Sequence, residues 1–357
     1  MMLWRLPSPV RPFSGLNCRP YSSTKHVEPL RILFCGSDQF SIASLSKLNK
    51  AKNKDPLLIE SIDVVHRPGK RTGRGLKTIK DVPIKRAATL DFKLPTHVRD
   101  TFTNWEPPVA YNLIIAVSFG LLIPSRILDG AKYGGLNVHP SLLPDLRGPA
   151  PIHHTLLKRR KYTGITIQTL HPTHFDHGTI LSQTPAPGIE VCPGATPVEL
   201  VDKLGSLGGS MLLDVIRRRD FFPPVHDVGW YAKSGGPVDN AEKITSEHRY
   251  VNFSTTTAGD IQDRHRLLGN LWCTLLNGKR LILHDVCPYH GEDSTRLDPG
   301  LFVGETGDLL ARTQDGKLVH IVESTVEGRK TGSGKGYLRY RPFLVLPTNT
   351  VEERQSE

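Results

Sequence analysis

Asn137 and His139 stand two residues apart in Gly135-Leu-Asn137-Val-His139, so on an extended strand both side chains project to one face. An amide donor beside an imidazole can stabilise charge developing on an oxygen and can move a proton. Taken alone, Asn-x-His is more often a hydrogen-bonded structural pair than a catalytic one. Here it does not stand alone. Ser141-Leu-Leu143-Pro144, Arg147-Gly148 and Pro151-Ile152 follow closely, and Thr163-Gly-Ile-Thr-Ile167 leads on to Phe175-Asp176-His-Gly178. His171, His174 and His177 repeat every three residues, but Pro172 interrupts any helix that would gather them, so no metal site is expected.

Such a pair has to be held at the end of a strand. Arg31-Ile-Leu-Phe-Cys35 is an apolar run ending at Gly36 and followed by a helix-like stretch at 40–48, which is how a doubly wound α/β domain opens. Residues 57–65, 135–138 and 165–170 read as further strands. Residues 112–117, apolar and β-branched, read as a buried parallel one. With helical material between most of them, the fold class is α/β: a doubly wound, mostly parallel sheet with helices on both faces. Asn137 and His139 then lie at the carboxyl end of a strand, where open α/β sheets place ligands. A helix starts at Thr196, which forms a capping box with Glu199, with Pro197 at the first helical position. Val201, Leu204, Leu207, Met211 and Val215 give it an apolar face, and Arg217, Arg218 and Arg219 close it favourably for the helix dipole.

Beyond Pro223-Pro224 the pattern changes. Short β-like runs at 281–284, 301–303, 309–310, 318–322 and 337–346 are punctuated by Gly278, Gly304, Gly307 and Gly316. They predict a small C-terminal β-barrel, OB-like, of the kind that binds oligonucleotides. The expected division is a catalytic domain at 29–219, a linker at 220–247, the barrel at 248–346 and a polar tail at 347–357. Gly36 lacks the partner glycines of a dinucleotide fingerprint, so no nicotinamide cofactor is expected. Gly332-Ser-Gly-Lys-Gly336 fails as a P-loop. Arg329 stands where the first glycine is required, and Gly336 where Ser or Thr would hold magnesium.

The 357 residues carry a net charge of +11, which points to a polyanionic partner, an organellar address, or both. Residues 1–28 read as a mitochondrial transit segment, placing the protein in the mitochondrial matrix. Arg5, Arg11, Arg19 and Lys25 come before the first acid, Glu28, and Arg5, Pro7 and Pro9 prevent a secretory apolar core. The remainder is still +7 once those four charges are set aside. No stretch of about 18 apolar residues is present, so no membrane span is expected. Five scattered cysteines (Cys18, Cys35, Cys192, Cys273, Cys287) form no Cys-x-x-Cys pair and read as buried, inert thiols.

The motifs around Asn137 and Asp176, in this order and spacing, resemble the two signatures of the folate-dependent formyltransferases. The resemblance runs from about 31 to 345 and is strong to about 190. It implies that Asn137, His139 and Asp176 are catalytic and that the formyl donor is 10-formyltetrahydrofolate, with no metal and no covalent intermediate. An amine would attack the formyl carbon through a tetrahedral intermediate. Asn137 and a proton-donating His139 would stabilise its oxygen, while Asp176 would support the imidazolium and help remove the amine's proton. The resemblance also places Ser118, Phe119, Gly120, Leu121 and Leu122, and Ser141, Leu142, Leu143, Pro144 and Arg147, beside the folate.

Members of that superfamily differ in acceptor, so basic segments carry the choice. Arg67, Lys70, Arg71, Arg74, Lys77 and Lys80 fall in a stretch without acids that Gly69, Gly73 and Gly75 keep loose. Composition alone reads this as a solvated loop. Arg67-Pro68, Gly73-Arg74-Gly75 and Pro83-Ile-Lys85, however, resemble the tRNA-contacting insertion of methionyl-tRNA formyltransferases. Arg329, Lys330, Lys335, Arg339 and Arg341 form a second acid-free segment, suited to sequence-independent backbone contact. The expected partner is methionyl-tRNA and the expected state a monomer. The alternatives are another 10-formyltetrahydrofolate-dependent formyltransferase or hydrolase acting on a small molecule, or an RNA-binding protein on an inactive scaffold. The intact trio argues against the last.

Overall fold

A computed structural model describes residues 28–72, 75, 77–291 and 298–339, with the side chain of Arg339 excepted. The expected transit segment apart from Glu28, Cys18, Gly73, Arg74, Arg341 and the expected polar tail lie outside the described residues.

The N-terminal half is built on a seven-stranded sheet. In chain order its strands and their small companions are β1 (Leu30–Gly36), β2 (Ile59–His66), β3 (Lys70–Thr72), β4 (Thr78–Lys80), β5 (Thr96–Val98), β6 (Leu113–Val117), β7 (Gly135–His139), β8 (Tyr162–Thr163), β9 (Thr166–Thr169), β10 (Ile180–Gln183) and β11 (Ile189–Glu190). The sheet runs β10-β9-β7-β6-β1-β2-β5. Strands β5, β2, β1, β6 and β7 are parallel, whereas β9 and β10 join antiparallel. Alternation splits each central strand between two cores. Ile32, Phe34, Leu113, Ile115 and Val117 face one side, and Leu33, Cys35, Ile114 and Ala116 the other.

The first face is covered by α1 (Gln39–Lys54) and the long α5 (Pro197–Arg218), to which the short α2 (Pro83–Arg86) adds Ile84 and α4 (Pro151–Leu157) adds Ile152 and Leu156, while α3 (Ser125–Leu128) turns Ile127 into the opposite core. Helix α5 has the expected Thr196–Glu199 capping box, and Arg219 ends it in a left-handed turn. Its buried stripe differs from the expected one. Val201, Leu207 and Met211 are only partly buried, while Gly205, Gly208 and Gly209 line the inner face with Leu200, Leu204, Leu212 and Val215. A Cβ at Gly209 would sit 3.1 Å from the Ala43 carbonyl oxygen and 3.2 Å from Ser44 Cα, so the glycines let α5 ride directly on α1. The opposite face also departs from expectation. Beside the short α3, the irregular 99–112 segment packs Phe102 and Trp105 there, with the Arg126 guanidinium binding both of their carbonyls.

The C-terminal half has α6 (Ala258–Leu268), capped by Thr257, and an antiparallel sheet with a core of its own. Its strands are β12 (Leu271–Thr274), β13 (Arg280–Tyr289), β14 (Gly300–Val303), β15 (Leu309–Arg312) and β16 (Leu318–Val326), in the order β12-β13-β16-β15-β14. Tyr337, expected to open a strand, lies instead on a short helix, α7 (Gly334–Arg339), and residues 340–346 are outside the described ones. Small polar and glycine residues before it (Thr331 to Ser333) favour a turn-capped helix over a ladder.

The segment expected to be a linker is a strap. Leu146 N–H donates to the Asp239 carbonyl at 2.8 Å, Ala241 N–H to the Arg147 carbonyl at 2.7 Å, and Gln183 Oε1 accepts from the backbone N–H groups of Trp230 and Tyr231. Arg160 bridges Asp145 and Asp239 beneath it. Of the described cysteines, Cys35 and Cys273 are buried. Burial pushes the Cys273 thiol up to about 12 and the Cys35 thiol further, but Cys192 is exposed, contrary to expectation. Among the described residues no helix is long and apolar enough to cross a membrane.

Candidate active site

Strand alternation sends Leu136 and Val138 into the first core and turns Asn137 and His139 towards the other face, at the carboxyl end of β7. Asp176 reaches them from the β9–β10 connection, which leaves the sheet after Thr169 and returns at Thr179. That excursion is closed by Thr169 N–H to the Thr179 carbonyl and Thr179 N–H to Thr169 Oγ1, both 2.9 Å. Asp176 sits in the left-handed region (φ 58°), tolerable for an aspartate and strained for most residues. Two contacts from the segment after β7 help hold it there. Gly148 N–H donates to Oδ2 at 2.9 Å, and Arg147 Nε to the Asp176 carbonyl at 3.0 Å.

The trio therefore converges. His139 is 5% exposed, and its Nδ1 lies 3.3 Å from Asp176 Oδ1. Its Nε2 faces the Leu146 carbonyl at 2.9 Å, and because that oxygen only accepts, Nε2 carries a hydrogen. Asn137 Nδ2 donates to the Ala116 carbonyl at 3.0 Å and keeps a second hydrogen. Beneath both lies Gln168, paired with Asn137 across β7 and β9 and 1% exposed. Sequence reading passed over it. The available signal was a long polar side chain in an otherwise apolar run, Ile165-Thr-Ile-Gln168, at a position that pairing with β7 places behind Asn137.

Asn137 and Asp176 open onto a cleft lined by Leu121, Leu122 and Ile123 together with Leu170, His171, His174 and Phe175. The other residues expected around the folate are placed unevenly. Phe119 is buried against Phe102, while Ser118 and Gly120 shape the loop through positive φ angles of 48° and 76°. Ser141, Leu142 and Leu143 are buried supports, with Ser141 Oγ donating to the Asp145 carbonyl at 2.6 Å. Pro144 is partly exposed, and Arg147 braces Asp176. His171, His174 and His177 form a run of ring contacts at 5.2 and 5.6 Å. Desolvation, then Arg147 and the two neighbouring imidazoles, hold His177 below the ordinary imidazole range. Among the described residues no group of three or more His, Cys, Asp or Glu could hold a metal ion.

The segment expected to be a loose basic loop is a hairpin. Lys70 pairs with Lys80, Arg71 with Ile79 and Thr72 with Thr78, and Gly75 (φ 72°) sits in the turn. Lys70, Arg71, Lys77 and Lys80 are exposed and Arg67 partly so, while Arg74 lies outside the described residues. Arg329, Lys330 and Lys335 are exposed beyond β16. Arg329 stacks on Tyr337, and Lys335 pairs with Asp308 at 2.6 Å.

The family model described as formyl transferase matches residues 30–216. A protein of Schizosaccharomyces pombe is 30% identical over 350 residues, spanning 86% of this chain and 97% of its own length. The mitochondrial methionyl-tRNA formyltransferase of Saccharomyces cerevisiae is 34% identical over 282 residues, 69% of each chain. Among solved structures, WlaRD, a sugar 3N-formyl transferase crystallised with dTDP and 5-N-formyl-THF, is similar at TM-score 0.50 and 16% identity. That match covers 85% of this chain and all of the other, a likeness of fold alone.

Proposed function

Because this chain belongs to the formyl transferase family, we infer its reaction from that membership together with the converged trio. It is a methionyl-tRNA formyltransferase that moves the formyl group of 10-formyltetrahydrofolate onto the amino group of methionyl-tRNA, in the mitochondrion, for translation initiation. The observation that carries the mechanism is the Asn137 amide, fixed with a spare N–H beside the His139–Asp176 pair. Leu121, Leu122 and Ile123 line the cleft beside that amide, and we place the pterin end of the folate against them.

In our reading the amine forms the new C–N bond as the bond from formyl carbon to folate N10 breaks, and one proton passes from amine to N10. Asn137 Nδ2 donates to the oxygen that gathers charge in between. Asp176 and His139 Nδ1 hold the proton in transit, with Leu146 and Gly148 fixing the outer sides of both groups. Leu121, Leu122 and Arg147 act on the donor directly, and Ser118, Phe119, Gly120, Ser141, Leu142, Leu143 and Pro144 by shaping its walls.

For the acceptor, Lys70 and Lys80 stand directly opposite each other on an exposed hairpin, an arrangement that costs stability unless an anion lies across it. We assign that anion as the tRNA backbone. We extend the contact to Arg71 and Lys77 of the hairpin, to Arg67 before it and Arg74 within its sequence, and to Arg329, Lys330, Lys335 and Arg339 on the C-terminal half. The antiparallel sheet, whose long strand β13 is bulged near Asp285, is assigned as a small OB-like barrel at 248–346. Residues 29–219 form the catalytic unit and 220–247 join the two. We assign the protein to the matrix as a monomer, since a single chain supplies the whole trio.

Lys70→Ala with Lys80→Ala is the direct test of the acceptor. The KM for methionyl-tRNA should rise about tenfold, and the log–log salt slope of binding should fall by about 1.5–2. The KM for the folate should stay within twofold. Equal effects on both substrates, or none on either, would remove the hairpin from acceptor binding.

A further inference from the structure

Gln168 makes three hydrogen bonds and uses both ends of its amide. Its Oε1 accepts from Gly178 N–H at 3.1 Å, and its Nε2 donates to Asn137 Oδ1 at 3.2 Å and to Asp176 Oδ1 at 3.3 Å. At each end of this network stands a backbone group whose sense cannot be reversed. Gly178 N–H can only donate, so it fixes which way the Gln168 amide faces. The Ala116 carbonyl can only accept, so it requires Asn137 to present nitrogen on its side.

We propose that Gln168 is the positioning residue that sets the polarity of the active site, obliging Asn137 to offer N–H to the formyl oxygen and holding Asp176 Oδ1 against His139 through the same amide nitrogen. An Asn137 amide turned the other way would aim its carbonyl at the developing negative charge, the opposite of what the reaction needs. In that orientation its nitrogen would also face Gln168 Nε2, donor against donor. Gln168 reaches the reacting atoms only through Asn137 and Asp176. The inference rests on the formyl-transfer reading given above.

The competing role is purely structural: Gln168 would only tie down the β9–β10 excursion by accepting from Gly178 N–H. Gln168→Glu separates the two. The introduced carboxylate still accepts from Gly178 N–H but cannot donate to Asn137 or Asp176, and it places a second negative charge beside Asp176. The other ionisable groups around that position are His139 on β7, Arg147 before α4, and His171, His174 and His177 on the excursion. Burial and Asp176 both raise the pKa of the introduced carboxyl, so it gains a proton, and with it a donor, as pH falls.

The experiment measures kcat and both KM values for methionyl-tRNA and 10-formyltetrahydrofolate from pH 6 to 8.5, in the parent and in Gln168→Glu and Gln168→Met. At pH 8 both variants should lose about a hundredfold in kcat, with each KM within threefold of the parent. Relative to the parent, Gln168→Glu should recover at least fivefold on going to pH 6, and Gln168→Met should not. Full activity of Gln168→Glu at pH 8, a loss confined to KM, or identical pH profiles for the two variants would overturn the proposal. Failure of the parent to formylate methionyl-tRNA would be a different result, overturning the reaction and not the role of Gln168.

Discussion

His139→Ala should lower kcat for formyl transfer by about 10²–10⁴-fold, the range that a positioned proton-transfer group contributes. The KM for methionyl-tRNA should change little, because His139 is 5% exposed and its polar contacts are Asp176 and the Leu146 carbonyl, both within the protein. Removing the ring leaves Asp176 Oδ1 facing a space that water can enter. A residual rate should therefore survive, supported by the Asn137 amide alone. Steady-state kinetics with both substrates varied, beside a filter-binding titration of the tRNA, checks this. A loss of tRNA affinity as large as the loss of kcat would place His139 in binding and not in chemistry.

Gly178→Ala should be nearly as damaging, although Gly178 takes no part in the reaction. A Cβ there would lie 1.7 Å from the Thr169 carbonyl oxygen, and the obstacle is backbone that cannot swing aside. The β9–β10 excursion must shift, carrying Asp176 off His139 and Gly178 N–H off Gln168. Overpacking of this kind costs about 1–3 kcal/mol. For a chain of this size that is a fall of roughly 1–4 °C in Tm. The shift in Asp176 should lower kcat by at least a hundredfold as well, since misplacement by about 1 Å has that effect on positioned groups. Thermal unfolding and kinetics on the same preparation test both parts. A Tm within 1 °C of the parent and kcat within twofold would mean that the excursion is not held as described.

Much of this site was legible in the sequence because its parts are local. Asn137 and His139 are neighbours on one strand, and the strand, the turn and the capping box that frame them are written in short runs. Asp176 was legible only by resemblance, since nothing in its own neighbourhood says that a left-handed residue 37 positions after His139 will fold back onto it. Gln168 was not legible, because its role comes from pairing across β7 and β9 and from the fixed sense of two distant backbone groups. Helix α5 shows a related limit. Periodicity of large apolar residues put the buried stripe on Val201, Leu207 and Met211, whereas contact with α1 at backbone distance selects Gly205, Gly208 and Gly209. Glycines carry no hydropathy signal for such an approach.

The same limit applies between the two halves. Residues 220–247 look like a linker because they lack periodic structure, yet Asp239 and Ala241 bond the segment that carries Leu146, Arg147 and Gly148. Those three residues hold His139 and Asp176 in turn. Cutting the chain near 225 would therefore disturb the trio as well as remove basic surface, so truncation cannot by itself report on tRNA binding.

The central claim is that this trio passes a formyl group to the amine of methionyl-tRNA. The measurement that tests it most directly is transfer by protein beginning at residue 29, supplied with 10-formyltetrahydrofolate. Charged methionyl-tRNA, free methionine and glycinamide ribonucleotide would compete as acceptors. The account predicts N-formylmethionyl-tRNA as the formylated product, and its loss in His139→Ala. Formate release, or formylation of a small amine with no tRNA product, would contradict it.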